Sequence, residues 1–481
     1  MRPLYITTTL PYVNDKPHLG HALEFIEADA YARFARLCGR DVFFNTGTDE
    51  HGVKIYRKAI EAGKDTQEYV DEYAGKFKAL METLHIDYTR FIRTTDADHV
   101  TAAQEFWRQC ERAGDIYKKT YAVKYCVGCE MQKTDSEIEH GKCPIHPNLE
   151  LEILEEENYF FRFSKYQDHL LAYLSEEGVI IPDSRRLEAR AFVEAGLEDF
   201  SISRLKEVMP WGIPVPDDAD HVMYVWFDAL VNYVSTLGWP DGALFLKFWE
   251  DGEVMQFAGK DQIRMQSLMW QAMLMSADVK TTDTVFYHGF LTSAGQKMSK
   301  SFGNVIDPVE IAEEYGAEAL RFFMLFEAHP YEDSDITEMR LRASYNAHLA
   351  NGLGNLVARV MKMATTYEIA WDTLQLPEGE AVFMAPELET YRKAFERFRF
   401  DDAFVVVRDY IADADAYIQE TEPFKTIKVH EAKARADVMY LVETLWRVAL
   451  LLSPFMPTTS QTIQTAIRSR ILPTNLFARK E

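Results

Sequence analysis

Leu4-Tyr5-Ile6-Thr7-Thr8-Thr9-Leu10, the loop Pro11 to Pro17, and then His18-Leu19-Gly20-His21 form the stretch on which the fold reading turns. Residues 4–10 are rich in Thr and β-formers and read as a strand ending at Pro11. After the Pro/Asn/Asp loop, a helix is predicted from about His18 to Gly39. Residues 41–46 (DVFFNT) form another short strand, closed by Gly47. Strand, loop, helix, strand is the opening of a parallel, doubly wound sheet. The helix start offers unpaired N–H groups and positive dipole to an anion. Gly20 lets a flat ring or a phosphate approach the backbone. His18 and His21 add donors that can follow phosphate oxygens. Taken alone, a motif of this length is equally well a helix start with no ligand.

The whole chain sets the frame. It has 481 residues, enough for three or four modules, and 47% apolar residues, enough for more than one core. This excludes a disordered or collagen-like chain. No apolar run reaches the roughly 18 residues of a membrane span, and the first residues lack a signal-peptide pattern. Five cysteines, three of them clustered, are too few for a disulfide scaffold. A cytoplasmic, reducing environment is expected. With 52 Lys+Arg against 76 Asp+Glu, the net charge is −24. That argues against nonspecific nucleic-acid coating and leaves a specific RNA partner open. Residues 341–481 carry 17 Lys+Arg and 18 Asp+Glu, so the acidity lies almost wholly before them. A boundary near 340 follows.

Further helices are expected at 66–84 and 96–113. Residues 115–220 differ in character, with clustered cysteines, Glu155-Glu156-Glu157 and the Pro-rich segment 210–216, and read as an insertion. The βα pattern resumes at 221–276 and includes the strand-like VMQFAGKD; TVFYHGFLT at 284–292 is another strand. From about 308 the pattern is helical, with apolar residues at helical spacing in Leu349, Leu353, Leu356 and Val360, and again in 401–418 and 436–452. Trp371 to Pro386 reads as an inter-helix loop. The parts are 1–114, 115–220, 221–308, 309–340 and 341–481.

Two more constellations carry chemistry. Lys297-Met298-Ser299-Lys300-Ser301, flanked by Gly295 and Gly303, puts two lysines in a short loop that can clamp a triphosphate and stabilise the charge that builds as pyrophosphate leaves. Alone it reads as a solvated basic loop. Cys126-x-x-Cys129, thirteen residues, then Cys143-x-x-His146 pairs two knuckles of soft ligands suited to one tetrahedral Zn²⁺. Four filled positions leave no open site, so a structural metal is expected.

HLGH and KMSKS resemble the two signature motifs of class I aminoacyl-tRNA synthetases. Their surroundings resemble the methionyl-tRNA synthetase family in particular: TTTLPYVNDKPHLGHALEFIEAD at the start, GTDEHG at 47–52, YVWFDAL at 224–230, GKD at 259–261 and GQKMSKSFGNVIDP at 295–308. The resemblance spans nearly the whole chain. It implies an α/β, Rossmann-like catalytic domain (1–114 and 221–308), a connective insertion with a zinc knuckle, a linking segment at 309–340, and an all-α anticodon-binding bundle. It implies a methionine–tRNA ligase: ATP with Mg²⁺ and L-methionine give methionyl-adenylate, and tRNA(Met) takes the methionyl group at its 3′ end, supplying protein synthesis including initiation. No DNA or membrane partner is implied, and a monomer is the simpler expectation.

By position within the motifs, the resemblance puts His18, Gly20, His21, Gly259, Asp261, Arg204, Lys297 and Lys300 at ATP, with Lys300 the first choice for transition-state charge. It puts Leu10, Tyr12, Trp226, Ala229 and Tyr233 around the methionine side chain, Asp49 on its ammonium, and Gln262 and Gln266 beside them. Asn355, Arg359 and Phe424 fall at anticodon-contacting positions. Three residues depart from the pattern. The family usually has an aliphatic residue where Gln262 stands, His where Gln266 stands, and Trp where Phe424 stands. A phenyl ring still stacks on an unpaired base but lacks the indole donor. The glutamines leave a class I synthetase for another amino acid open as an alternative; a noncatalytic RNA-binding relative is a second, against which the intact motifs argue.

Overall fold

The computed structural model describes residues 1–127, 131–133, 138, 141–293, 295–297, 306–474 and 476–481, with 121, 123, 125, 131–133, 154, 296 and 297 described by backbone alone. Six parallel strands form the central sheet: β1 (Leu4–Thr8), β2 (Val42–Thr48), β3 (Arg90–Arg93), β7 (Ile180–Ile181), β12 (Glu253–Gly259) and β13 (Thr284–His288), in the order β3-β2-β1-β12-β13-β7. β1 is buried at every position, as a parallel strand covered on both faces must be. It pairs with β2 on one side, Leu4 against Val42, and with β12 on the other, Leu4 against Glu253. The chain therefore leaves β1 toward one edge and returns beyond it. The crevice outside the carboxyl ends of β1 and β12 is the switch point where open α/β sheets bind ligands.

α1 (Leu19–Leu37) follows β1 and packs on the sheet. α2 (Val53–Glu61), which the sequence reading did not anticipate, precedes α3 (Thr66–Thr83) and α4 (Ala97–Arg112). One core lies on the α1 face and another on the α4 face. The first continues without a break into the C-terminal helices: Phe34 stacks on Phe395 at 4.2 Å and Phe286 on Phe398 at 4.5 Å.

The stretch 115–220 is built on a long antiparallel pair, β4 (Ile116–Cys126) with β6 (Glu152–Phe161), flanked by β5 (Met131–Lys133) and β8 (Phe200–Ser201). It also supplies β7, the edge strand of the central sheet, which pairs with β13. A three-stranded sheet of β9 (Ser203–Leu205), β10 (Pro214–Val215) and β11 (Asp218–Met223) leads to α5 (Val225–Leu230). The expected strand at 284–292 is broken at Gly289, where a Cβ would meet the Glu332 carbonyl oxygen at 2.2 Å. It resumes as β14 (Leu291–Ser293), which pairs with β15 (Gln296–Lys297) and with β16 (Ser334–Asp335). β16 interrupts the region read as helical throughout.

α6 (Pro308–Tyr315) and α7 (Ala317–Phe326) lead to the bundle: α8 (Asn355–Thr366), α9 (Phe400–Thr421), the short α10 (Pro423–Thr426), α11 (Glu431–Leu452) and α12 (Pro457–Ser469). Leu349, Leu353, Leu356 and Val360 are buried as their spacing requires. The 371–386 loop holds two short helical turns and is tied down by Trp446 Nε1, which donates to the Pro377 carbonyl at 2.7 Å. Arg321 on α7, fully buried, joins the central-sheet half to the bundle. It pairs with Asp29 of α1 at 2.7 Å and donates to the carbonyls of Phe455 (2.9 Å), Pro454 (2.9 Å) and Leu84 (3.1 Å). Among the described residues no helix is long and apolar enough to cross a membrane.

Candidate active site

The α1 start is capped by its own histidines. His18 is the N-cap; its Nδ1 accepts from Gly20 N–H at 3.1 Å, and His21 Nδ1 accepts from His18 N–H at 3.2 Å. This is a capping box built from imidazoles instead of hydroxyl and carboxylate. The rings stack at 3.7 Å. Each Nδ1 is an acceptor, so each neutral ring carries its proton on Nε2. A Cβ on Gly20 would sit 3.0 Å from His18 Cε1, tighter than ordinary contact. Burial first, then the charges of His18 and His288, hold the His21 imidazole well below its ordinary range.

The loops after β1 and β2 are knitted together. Tyr12 and Asp49 form a parallel bridge, Asp49 N–H donates to the Pro11 carbonyl, and Val13 N–H donates to that of Asp49. Gly52 has φ 112°, and a Cβ there would meet the Tyr12 hydroxyl at 2.6 Å, so glycine is required twice over. Asp49 is buried and its Oδ1 has no hydrogen-bond partner. Burial first, then Asp228, push its carboxyl well above the usual carboxylate range. Its charge acts on both Tyr12 and Tyr233, whose phenols are pushed up chiefly by burial.

Tyr233 is buried and receives a hydrogen bond on its hydroxyl from Gln266 Nε2, while Gln266 Oε1 is buried without a partner. Gln266 lies in a π-helical stretch, Arg264–Met269, a distortion that recurs at functional sites. Gln262 reaches Asp261 at 3.3 Å instead. Leu10, Trp226 and Ala229 are half-buried. Trp226 packs edge-on against Tyr224, and the Arg204 guanidinium lies 4.3 Å from the centre of the Tyr224 ring. Arg204 also donates to the Ser201 hydroxyl at 2.8 Å and the Ser203 carbonyl at 2.6 Å. Gly259 closes β12, where a Cβ would come within 2.9 Å of Asp261 Oδ1.

A shell that the sequence reading missed holds these groups. Asp228, fully buried, accepts from His51 Nδ1 at 2.7 Å and His99 Nε2 at 2.8 Å. Burial would raise its carboxyl, but the two imidazoles hold it below the usual range. Glu50 takes a two-pronged bond from Arg93 (2.7 and 2.8 Å), a strong geometry. Trp211, from the Pro-rich segment, donates to the Glu50 carbonyl at 2.6 Å and accepts from Gly52 N–H. His51 and Asp228 lie inside the motifs quoted above, which was the available signal.

Lys297 sits in β15 opposite Thr292; Lys300 lies outside the described residues. Cys126, Cys143 and His146 converge, their donor atoms all within 4.8 Å of one another, with Cys126 Sγ 3.8 Å from His146 Nδ1. Cys129 lies outside the described residues. Two thiols and an imidazole at this spacing fit a soft or borderline metal ion. In the bundle, Asn355 is exposed at the start of α8 and Arg359, one turn on, pairs with Asp415 at 2.8 Å. Phe424, on α10, is 42% exposed.

The sequence pattern described as "tRNA synthetases class I (M)" matches residues 4–151 and 146–361, and that of the "Anticodon binding domain of methionyl tRNA ligase" matches 380–475. A methionine–tRNA ligase from Nostoc sp. is 42% identical over 472 residues, 95% of this chain and 88% of that protein. One from Thermotoga maritima is 40% identical over 473 residues, 95% and 74%. The solved structure of Mycobacterium tuberculosis methionyl-tRNA synthetase in complex with methionyl-adenylate superposes with a TM-score of 0.87 at 36% identity, covering 100% of this chain and 99% of that one. This chain belongs to the methionyl-tRNA synthetases, class I aminoacyl-tRNA synthetases with methionine–tRNA ligase activity.

Proposed function

We propose that the crevice at the ends of β1 and β12 activates L-methionine with ATP for transfer to tRNA(Met), its residues dividing the work as follows. The observation that carries this is the convergence at the switch point of the imidazole-capped α1 with an unpaired, buried Asp49 oxygen. Methionine's ammonium takes that oxygen in a charge-assisted bond. Its thioether, unbranched and polarizable, lies among Leu10, Tyr12, Trp226, Ala229 and Tyr233, with Gln266 orienting the Tyr233 hydroxyl and Gln262 at the rim. ATP enters with Mg²⁺ on its phosphates. The Nε2–H groups of His18 and His21 address those phosphates, Gly20 and Gly259 allow close approach, Asp261 faces the ribose, and Arg204, Lys297 and Lys300 supply positive charge.

The methionine carboxylate attacks the α-phosphorus. A carboxylate-oxygen-to-phosphorus bond forms, the bond to the bridging oxygen breaks, and pyrophosphate leaves. The terminal ribose hydroxyl of tRNA then attacks the activated carbonyl, gives up its proton, and AMP leaves. No protein nucleophile is needed; orientation and charge stabilisation do the work. Cys126, Cys129, Cys143 and His146 would hold a structural Zn²⁺ that ties the end of β4 to the 143–146 turn. Asn355, Arg359 and Phe424 would read the anticodon. The parts act as divided above: 1–114 with 221–308, 115–220, 309–340 and 341–481, in a cytoplasmic monomer.

Methionine-dependent ATP–pyrophosphate exchange tests this reading. Lys300→Ala should lower the exchange rate about 10²-fold or more while methionine affinity stays unchanged. Exchange at the unmodified rate would refute the lysine's role.

A further inference from the structure

Beneath the HLGH helix lies a cluster of ionisable side chains that the reaction as proposed does not use. Glu24 and Glu27 come from α1 and His288 from the end of β13; all three are buried. Glu24 Oε1 accepts from Thr9 N–H at 2.7 Å and from the Thr9 hydroxyl at 2.5 Å. Its Oε2 lies 3.3 Å from His288 Nε2. On the other side of the ring, His288 Nδ1 lies 2.8 Å from the Gly289 carbonyl oxygen. A carbonyl oxygen only accepts, so Nδ1 carries a proton. Nε2 faces the second oxygen of the Glu24 carboxyl, whose first already holds two donors, so both ring nitrogens are set against oxygens, the arrangement that suits an imidazolium. Burial works against that charge, yet the bond to Glu24 and the charges of Glu27 and Glu24 raise its pKa to about 9. Glu27 Oε2 has no hydrogen-bond partner, and burial pushes its carboxyl up to about 8.

The cluster sits where the nucleotide reading needs a floor. Thr9, Gly259 and His288 mark the carboxyl ends of the three central strands. A Cβ on Gly259 would stand 3.7 Å from His288 Cε1, so the ring lies directly against that glycine. The other charged groups at this edge are accounted for. Lys260 pairs with Asp333 at 2.6 Å, and Asp333 also accepts from Phe290 N–H at 2.8 Å. Asp261 Oδ1 lies 2.9 Å from the same Cβ position on Gly259, and His18 and His21 are the helix cap above.

We propose that His288 is a positioning residue for the nucleotide: a buried imidazolium that pins Glu24 and Thr9 at the end of β1, supports Gly259 from below, and keeps His21 uncharged as a hydrogen-bond donor to phosphate. This rests on the reading that ATP docks on this edge of the sheet. In a protein of net charge −24, the ion pair thereby offsets the negative charge that Glu24 alone would place under an anionic substrate, shielded from solvent and salt.

His288→Gln keeps an N–H directed at Glu24 but removes the charge. In methionine-dependent pyrophosphate exchange, KM for ATP should rise about tenfold and KM for methionine stay within about twofold. In the full chain labelled with ¹⁵N-histidine, both His288 ring nitrogens should give imidazolium shifts at pH 7–8, and the His21 titration should move upward in His288→Gln. A neutral His288 ring at pH 7 overturns the proposal, whether or not the variant folds; so does an unchanged KM for ATP, or an equal rise in both KM values. The docking reading is tested separately by His21→Asn. If that variant exchanges at the unmodified rate, the docking reading falls, while the ring's protonation state still stands or falls by its own spectrum.

Discussion

Asp49 is the residue in which the fold's cost is most visible. A buried carboxyl with one unpaired oxygen is destabilising by about 1–3 kcal/mol, and the molecule tolerates it at Asp49, whose charge acts on the Tyr12 and Tyr233 phenols. Its raised pKa, caused by burial first and Asp228 second, has a thermodynamic consequence. In the free protein the carboxyl holds its proton more tightly than an ordinary aspartate; a bound ammonium favours the carboxylate. Methionine binding should therefore release protons and tighten as pH rises. Calorimetry at one pH in buffers of different ionisation enthalpy measures this directly, and heats that do not depend on the buffer would contradict it. Asp49→Asn should raise the methionine Kd about tenfold or more, the worth of a hydrogen bond to a charged group, with little effect on ATP.

At the scale of elements, the β4–β6 pair and α1 carry different loads. β4 ends at Cys126, and the 143–146 turn precedes β6, so the candidate metal ligands sit in the connection between the two strands. Cys126→Ser should abolish metal binding and increase amide exchange across β4 and β6, leaving β1, β2 and β12 protected. Equal loosening of the central sheet would show that the knuckle is not a local clamp. α1 buries three carboxyls, Glu24, Glu27 and Asp29, against the usual rule for helices. Glu27 and its neighbour His288 bear on pH stability. His288 is raised from 6.5 to about 9 and Glu27 from 4.5 to about 8. In each case the folded state binds the proton more tightly, so the stabilisation is complete below the lower value and is lost as pH rises through the upper one. Tm should fall between pH 7 and 9.5, and less steeply in His288→Gln; equal slopes in the two proteins would contradict the assignment.

Across the whole molecule, the catalytic half and the bundle share one core, and Arg321 is its polar joint. Its guanidinium meets Asp29 and three main-chain carbonyls from two separate segments. Removing one member of a buried ion pair costs about 3–5 kcal/mol because the other is left without compensation. Arg321→Ala should lower the unfolding midpoint accordingly in denaturant titrations, and a shift near zero would mean that solvent reaches Asp29. The same joint connects α1, which presents the HLGH cap, to the end of α11 in the bundle.

Several features were legible without tertiary structure because their physics is local. The His18–His21 cap works within one helical turn, the KMSKS loop and the cysteine knuckles are short segments, and helical periodicity reports burial of one face. The glutamines at 262 and 266 were visible as departures, but their meaning differed: Gln262 stays at the surface beside Asp261, whereas Gln266 is buried against Tyr233. The rest needed the folded chain. Glu24, Glu27 and Asp29 look like ordinary solvent-facing positions in a helix, and only the approach of His288 and Arg321 from distant segments shows otherwise. β7, two residues long, has no periodicity to read, so its place at the edge of the central sheet follows from pairing alone. The resemblance of short motifs to a known family pointed to the reaction; the unpaired Asp49 oxygen, the His288–Glu24 contact and the Arg321 joint depend on contacts across hundreds of residues, which only the crossing of the chain at β1 and β12 brings together.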